Sequence, residues 1–104
     1  MKVLLVEPPK DIWFIMGEYL PPPYGIIQLG AYLEREVPGV EVEVLDCNAK
    51  RVGWDELGRR MEASGADIVA SSSLATCNTY LTARTLQLAK KANPSVFTVT
   101  GGIH

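Results

Sequence analysis

The chain carries a single histidine and only two cysteines, Cys47 and Cys77, among 104 residues. Two cysteines with no Cys-x-x-Cys spacing and no neighbouring histidine cluster build neither a disulfide framework nor a zinc site. They fit reduced thiols that act as small, partly buried hydrophobes, which suits a cytoplasmic protein. Basic residues are not in excess: ten Lys and Arg stand against twelve Asp and Glu, giving a net charge of -2. The cationic side chains are scattered along the chain, so no face is prepared for a phosphate backbone and nucleic acid is not an expected partner. No apolar run approaches the roughly 18 to 20 residues that cross a bilayer, and "MKVLLVEPP" has neither the length nor the cleavage site of a signal peptide. No membrane partner is expected, and no repeat, low-complexity segment or linker divides the chain. A hydrophobic content of 47% supplies the modest core of one domain.

What is present is a regular alternation of strand and helix patterns. Lys2 to Val6 is a continuous apolar run, the pattern of a strand covered on both faces, and Glu7-Pro8-Pro9 ends it because proline donates no ladder hydrogen bond. Tyr24 to Glu36 places Ile26, Leu29, Gly30, Leu33 and the following Val37 at helical spacing, with Pro38-Gly39 as the stop. Val40, Val42 and Val44 alternate with Glu41 and Glu43, which predicts a strand at the sheet margin closed by Asp46. Trp54, Leu57 and Met61 mark one face of a second helix, left at Ser64-Gly65. "ADIVASSSL" reads as a buried strand with a polar carboxyl end. A third helix is expected from about Thr79 to Ala92, with Leu81, Leu88 and Ala92 facing inward, and "SVFTVT" is strand four.

Consecutive βα units cross over with one hand, so the expected fold class is α/β: three layers, with a parallel sheet between helices. A marginal strand two and covered strands one, three and four predict the order 2-1-3-4 of flavodoxin-like folds, with a ligand crevice at the switch point between strands one and three. The loops delivered there are Glu7-Pro8-Pro9, Asp46-Cys47-Asn48, Ser71 to Thr76, and Gly101 to His104. Two prolines after strand one offer neither the glycine-rich turn nor the N–H donors of a dinucleotide site. The hydroxyls and glycine of a flavin mononucleotide loop are missing from the same place. Serines stand where a phosphoacceptor domain has an aspartate. The rim that remains is serine-rich on strand three and side-chain-free on strand four. Gly101-Gly102 reads either as a tight turn or as a notch that lets a bulky ligand lie against the backbone.

The segments "KVLLVEPP", "PPPYGIIQLGAYLE", "VEVLDCNA", "ADIVASSSLATCNTY" and "NPSVFTVTGGIH" together resemble the amino-terminal cobalamin-binding domain of B12-dependent radical SAM proteins. The resemblance spans nearly the whole chain, and its most specific parts are the proline-glycine start of helix one and the terminal Gly-Gly-x-His. It implies a cobalamin partner, and a carboxyl-terminal radical SAM domain holding S-adenosylmethionine and a [4Fe-4S] centre on a Cys-x3-Cys-x2-Cys motif. That domain and a fifth strand are absent from these residues. The expectation is therefore an incomplete, non-catalytic module of a longer enzyme that performs methyl transfer or related radical chemistry on a small molecule. Alternatives are a cobalamin-free docking or lid domain of such a protein, and a stand-alone flavodoxin-like module for another small ligand. An exposed strand four would also favour a homodimer.

The cofactor contacts implied by the resemblance fall on the strand ends. They are Pro9 after strand one, Asp46 and Asn48 after strand two, Ser72, Ser73, Leu74 and Thr76 after strand three, and Gly101, Gly102 and His104 after strand four. Pro23 and Gly25 border the opening from the start of helix one. Corrinoid domains of the methionine synthase type share Asp-x-His-x-x-Gly, Ser-x-Leu and Gly-Gly, and Asp46, Ser72, Leu74, Gly101 and Gly102 stand at matching types. Asn48 takes the histidine place and Arg51 the glycine place, so imidazole ligation of cobalt does not carry over, because an amide nitrogen has no free lone pair. For His104, capping or hydrogen bonding is expected in preference to axial ligation. The aromatic stretch Trp13-Phe14-Ile15-Met16 with Tyr19 is expected to pack on a neighbouring domain or to cover a flat ligand.

Overall fold

Four consecutive branched residues open the chain, and they form the centre of the sheet. β1 spans Lys2–Glu7. Val3, Leu4, Leu5 and Val6 are each at most 5% exposed, alternating between the two faces. The computed structural model describes residues 1–9, 23–73 and 76–102, without the side chains of 76–78. Trp13 to Tyr19, Leu74 and His104, which carried expectations above, lie outside the described residues.

Helix α1 spans Tyr24–Glu36 and follows Pro23, whose φ of -79° is already suited to a helix start. Its inner face is narrower than the periodicity predicts. Ile26 and Gly30 are buried and Leu33 is half-buried, whereas Leu29 and Val37 are 46% and 42% exposed. The helix rides over the sheet margin formed by β1 and β2, where only a thin stripe meets the strands. Gly30 allows that close seat, since a Cβ there would stand 3.2 Å from Cγ1 of Val42 and 3.4 Å from Cδ1 of Leu5.

β2 spans Glu41–Asp46, and helix α2 spans Trp54–Ser64 with Leu57 and Met61 buried. Gly65 ends α2 in the left-handed region, φ +63°, as expected of a C-terminal glycine. β3 is Ile68–Ser72, α3 is Thr76–Ala92 and β4 is Phe97–Gly101. Helix α3 therefore begins three residues before Thr79.

The four strands are parallel in the order β2-β1-β3-β4, the flavodoxin-like arrangement. α2 and α3 cover one face over a core that includes Leu4, Val6, Leu45, Leu57, Val69 and Val96. On the opposite face Val3, Leu5 and Ile26 form a smaller core beside α1. Strand four is not covered as expected: Phe97 is 68% and Val99 42% exposed. The register pairs Phe97 with Ile68 and Val99 with Ala70, which places both on the α1 face, and α1 packs on β1 and β2. Among the described residues no helix is long and apolar enough to cross a membrane.

Candidate functional site

The crevice at the switch point lies beyond the carboxyl ends of β1 and β3, with β2 and β4 on its flanks. At the β1 end, Pro8 and Pro9 are buried. Three successive carbonyls are bonded from both sides. Val6 O accepts from Ser71 Oγ at 2.9 Å, Glu7 O from the Cys47 N–H at 3.1 Å, and Pro8 O from Asn48 Nδ2 at 2.9 Å.

Asp46 and Asn48, both expected to face the ligand, are held within the β2 turn. Oδ1 of Asp46 accepts the N–H groups of Asn48 at 3.1 Å and Ala49 at 3.2 Å, the local bonding that aspartate brings to turns. The turn closes through Val52 N–H to Cys47 O at 2.8 Å, with Arg51 in the left-handed region at φ +55°. Cys47 lies beneath it at 1% exposure. Its thiol is pushed up from 9.0 to about 12, first by burial and then by the negative charge of Asp46. It is therefore a protonated, unreactive thiol at neutral pH.

At the β3 end the serines divide. Ser71 is buried and bonded inward, Ser72 is half-buried, and Ser73 is buried with Oγ 3.1 Å from Thr79 Oγ1. Thr82 Oγ1 donates to the Ser72 carbonyl at 3.2 Å. Thr79 and Thr82 were not anticipated as site residues. Their signal was their spacing of three, which puts both hydroxyls on one side of α3 beside the strand end.

Ser73 N–H donates to Gly101 O at 2.8 Å, tying β4's end to β3's. The glycine pair makes a tight turn. Gly102 has φ +103°, and a Cβ there would stand 2.3 Å from the Ser73 carbonyl oxygen, so the backbone admits no side chain. At Gly101 φ is not in that region and a Cβ would meet nothing within 4 Å among the described residues. Among the described residues the missing side chain at Gly101 serves no internal contact, and by register it lies on the same face as the exposed Phe97 and Val99 at the end of β4. Pro23 is half-buried at the start of α1, Gly25 is exposed with nothing within 4 Å of its Cβ position among the described residues, and Thr76 opens α3.

Among the described residues no group of three or more His, Cys, Asp or Glu side chains could hold a metal ion. Of the described residues named here, Ser72 and Pro23 are half-buried and Gly25, Thr79 and Gly101 exposed, a set of uncharged groups that suits an uncharged organic surface. A separate groove of about 280 Å³ lined by Met61, Ala66, Ala92 and Pro94 lies at the opposite edge, where β3 and β4 begin.

Comparison with known proteins agrees with this geometry. The model of the B12 binding domain matches residues 15–104. The anaerobic magnesium-protoporphyrin IX monomethyl ester cyclase of Rubrivivax gelatinosus is 32% identical over 83 residues, covering 80% of this chain and 15% of that protein. The chain thus spans a small part of the length of the curated relative it matches. No solved structure matches. With a parallel 2-1-3-4 sheet, a glycine turn at the end of β4 and a matching model over most of its length, the chain belongs to the B12-binding domain family.

Proposed function

We propose that this chain is the cobalamin-binding module of a cytoplasmic radical SAM enzyme that acts on a small molecule by methyl transfer or related radical chemistry. The observation that carries the reading is that, among the described residues, nothing fills the side-chain position of Gly101, beside the half-buried Ser72, at the tip of the sheet. Family membership supports cobalamin as the ligand, and the cyclase name of the relative supports a parent enzyme working on a small organic substrate. S-adenosylmethionine and a [4Fe-4S] centre would belong to a separate domain of that parent.

Bound cobalamin supplies an organometallic centre for group transfer. The residues of this chain bind and orient it. Gly101 and the Ser72 hydroxyl would hold polar parts of the cofactor beside the end of β4. Pro23 and Gly25 would border the corrin with ring and backbone surface, and the buried Pro9 would shape the site from the end of β1. Ser73, held by Thr79 and by Gly101 O, keeps the notch from closing. Asp46 and Asn48 support the site from the β2 turn, and neither brings an imidazole to cobalt.

A visible-absorbance titration of the full-length protein with cobalamin tests the reading. Saturable binding with a changed corrin spectrum is expected, and a spectrum identical to free cofactor at every ratio rejects it. If binding occurs, imidazole hyperfine coupling in the cob(II)alamin electron paramagnetic resonance spectrum would reject the absence of a protein histidine on cobalt.

A further inference from the structure

The groove of about 280 Å³ lies at the end of the sheet opposite the crevice, and every residue that lines it is described. Its floor is apolar and closed: Met61, Ala66, Val69, Ala89 and Val96 are each at most 6% exposed. Glu62 and Asn93 supply the polar rim, and no basic side chain is among the lining residues. Two helices end there, α2 at Ser64 and α3 at Ala92, and the carboxyl end of a helix carries a partial negative charge. In α3 that charge is answered by Lys91 and by Lys90, whose ammonium donates to the Val96 carbonyl. In α2 it is not. The last turn holds no basic residue and carries Glu62 instead, an acid where the dipole favours a cation. Glu62 is exposed and makes no ion pair or side-chain hydrogen bond with the described residues.

We propose that this groove binds a small organic cation, an alkyl- or arylammonium. Its apolar body lies on Met61, Ala66, Ala89 and Ala92, and its charged head is turned toward Glu62 and the end of α2. The site is independent of the cobalamin reading. A buried apolar floor favours a hydrocarbon body, an unpaired carboxylate beside an uncompensated helix end favours a positive head, and an anion meets repulsion from both. The occupant is a free molecule and not a partner chain. Protein interfaces centre on aromatic and large apolar side chains, and none of the exposed ones described, Phe97 and Val99 included, lines this groove.

The test uses the full-length protein with isotope labels on its alanine and methionine methyl groups, titrated by nuclear magnetic resonance with n-hexylammonium, 1-hexanol and hexanoate. Hexylammonium is expected to shift the Met61, Ala66, Ala89 and Ala92 methyl signals saturably. It should bind about two- to fivefold more tightly than hexanol, the scale of one exposed ion pair. Glu62→Gln should remove that margin and leave hexanol binding unchanged, and Ala92→Leu, which adds bulk to the lining, should abolish both sets of shifts. Because Glu62 is exposed, its variant keeps the fold and decides the matter even if the leucine variant does not fold. Hexanoate binding as tight as hexylammonium, an undiminished margin in Glu62→Gln, or no saturable shift at these methyl groups overturns the proposal. An arginine-bearing peptide that shifts them where hexylammonium does not would assign the groove to a partner chain and overturn it as well.

Discussion

Adjacent glycines at the tip of β4 carry opposite constraints. Gly102 is demanded by the fold: its φ of +103° is costly for any L side chain, and the Ser73 carbonyl occupies the Cβ position. Gly102→Ala is expected to cost about 3 kcal/mol in urea unfolding, from backbone strain and the clash together. An undiminished midpoint would show that the turn opens freely. Cys47 gives a second residue-scale test. Its thiol is raised from 9.0 to about 12, so the neutral form is favoured by folding. That stabilisation is complete below about pH 9 and is lost as pH rises toward 12. Cys47→Ala should therefore flatten the alkaline fall in stability, and the wild-type thiol should react with iodoacetamide only under unfolding conditions.

At the scale of elements, the sequence signalled most strongly where one physical pressure acted alone. β1 was legible because four branched apolar residues have no amphipathic alternative, and α2 because Leu57, Met61 and Gly65 agree on face and end. β4 misled, because "SVFTVT" has the composition of a covered strand while the helix on that face sits over β1 and β2. Composition reports what a strand prefers to bury and says nothing of which helix reaches it. The result is an edge with Phe97 and Val99 exposed, from which we expect self-association through β4. Sedimentation at rising concentration should show dimers for the 104-residue chain, weakened by Phe97→Lys. A monomer at all concentrations would remove the idea. The Thr76 start of α3 was missed because threonine is an ordinary helix starter whose signal is shared by Thr79.

For the molecule as a whole, the parallel sheet followed from alternation and handedness, and the 2-1-3-4 order from the marginal pattern of strand two, even though strand four is less covered than its pattern implies. The site was only partly legible. Residue types at strand ends nominated four loops, and within them Asp46 and Asn48 bond their own turn and Pro8, because short polar side chains next to strand ends find backbone partners before they find ligands. The reverse holds for Gly101, whose meaning depends on open space that no sequence displays. A single comparison addresses this central point: cobalamin titration of the full-length wild type against Gly101→Leu, with melting temperatures recorded for both. A leucine Cβ at 101 meets no atom of the described residues within 4 Å, so melting should change little while affinity falls at least about tenfold. Equal affinity in the two proteins would contradict a ligand seated at that notch.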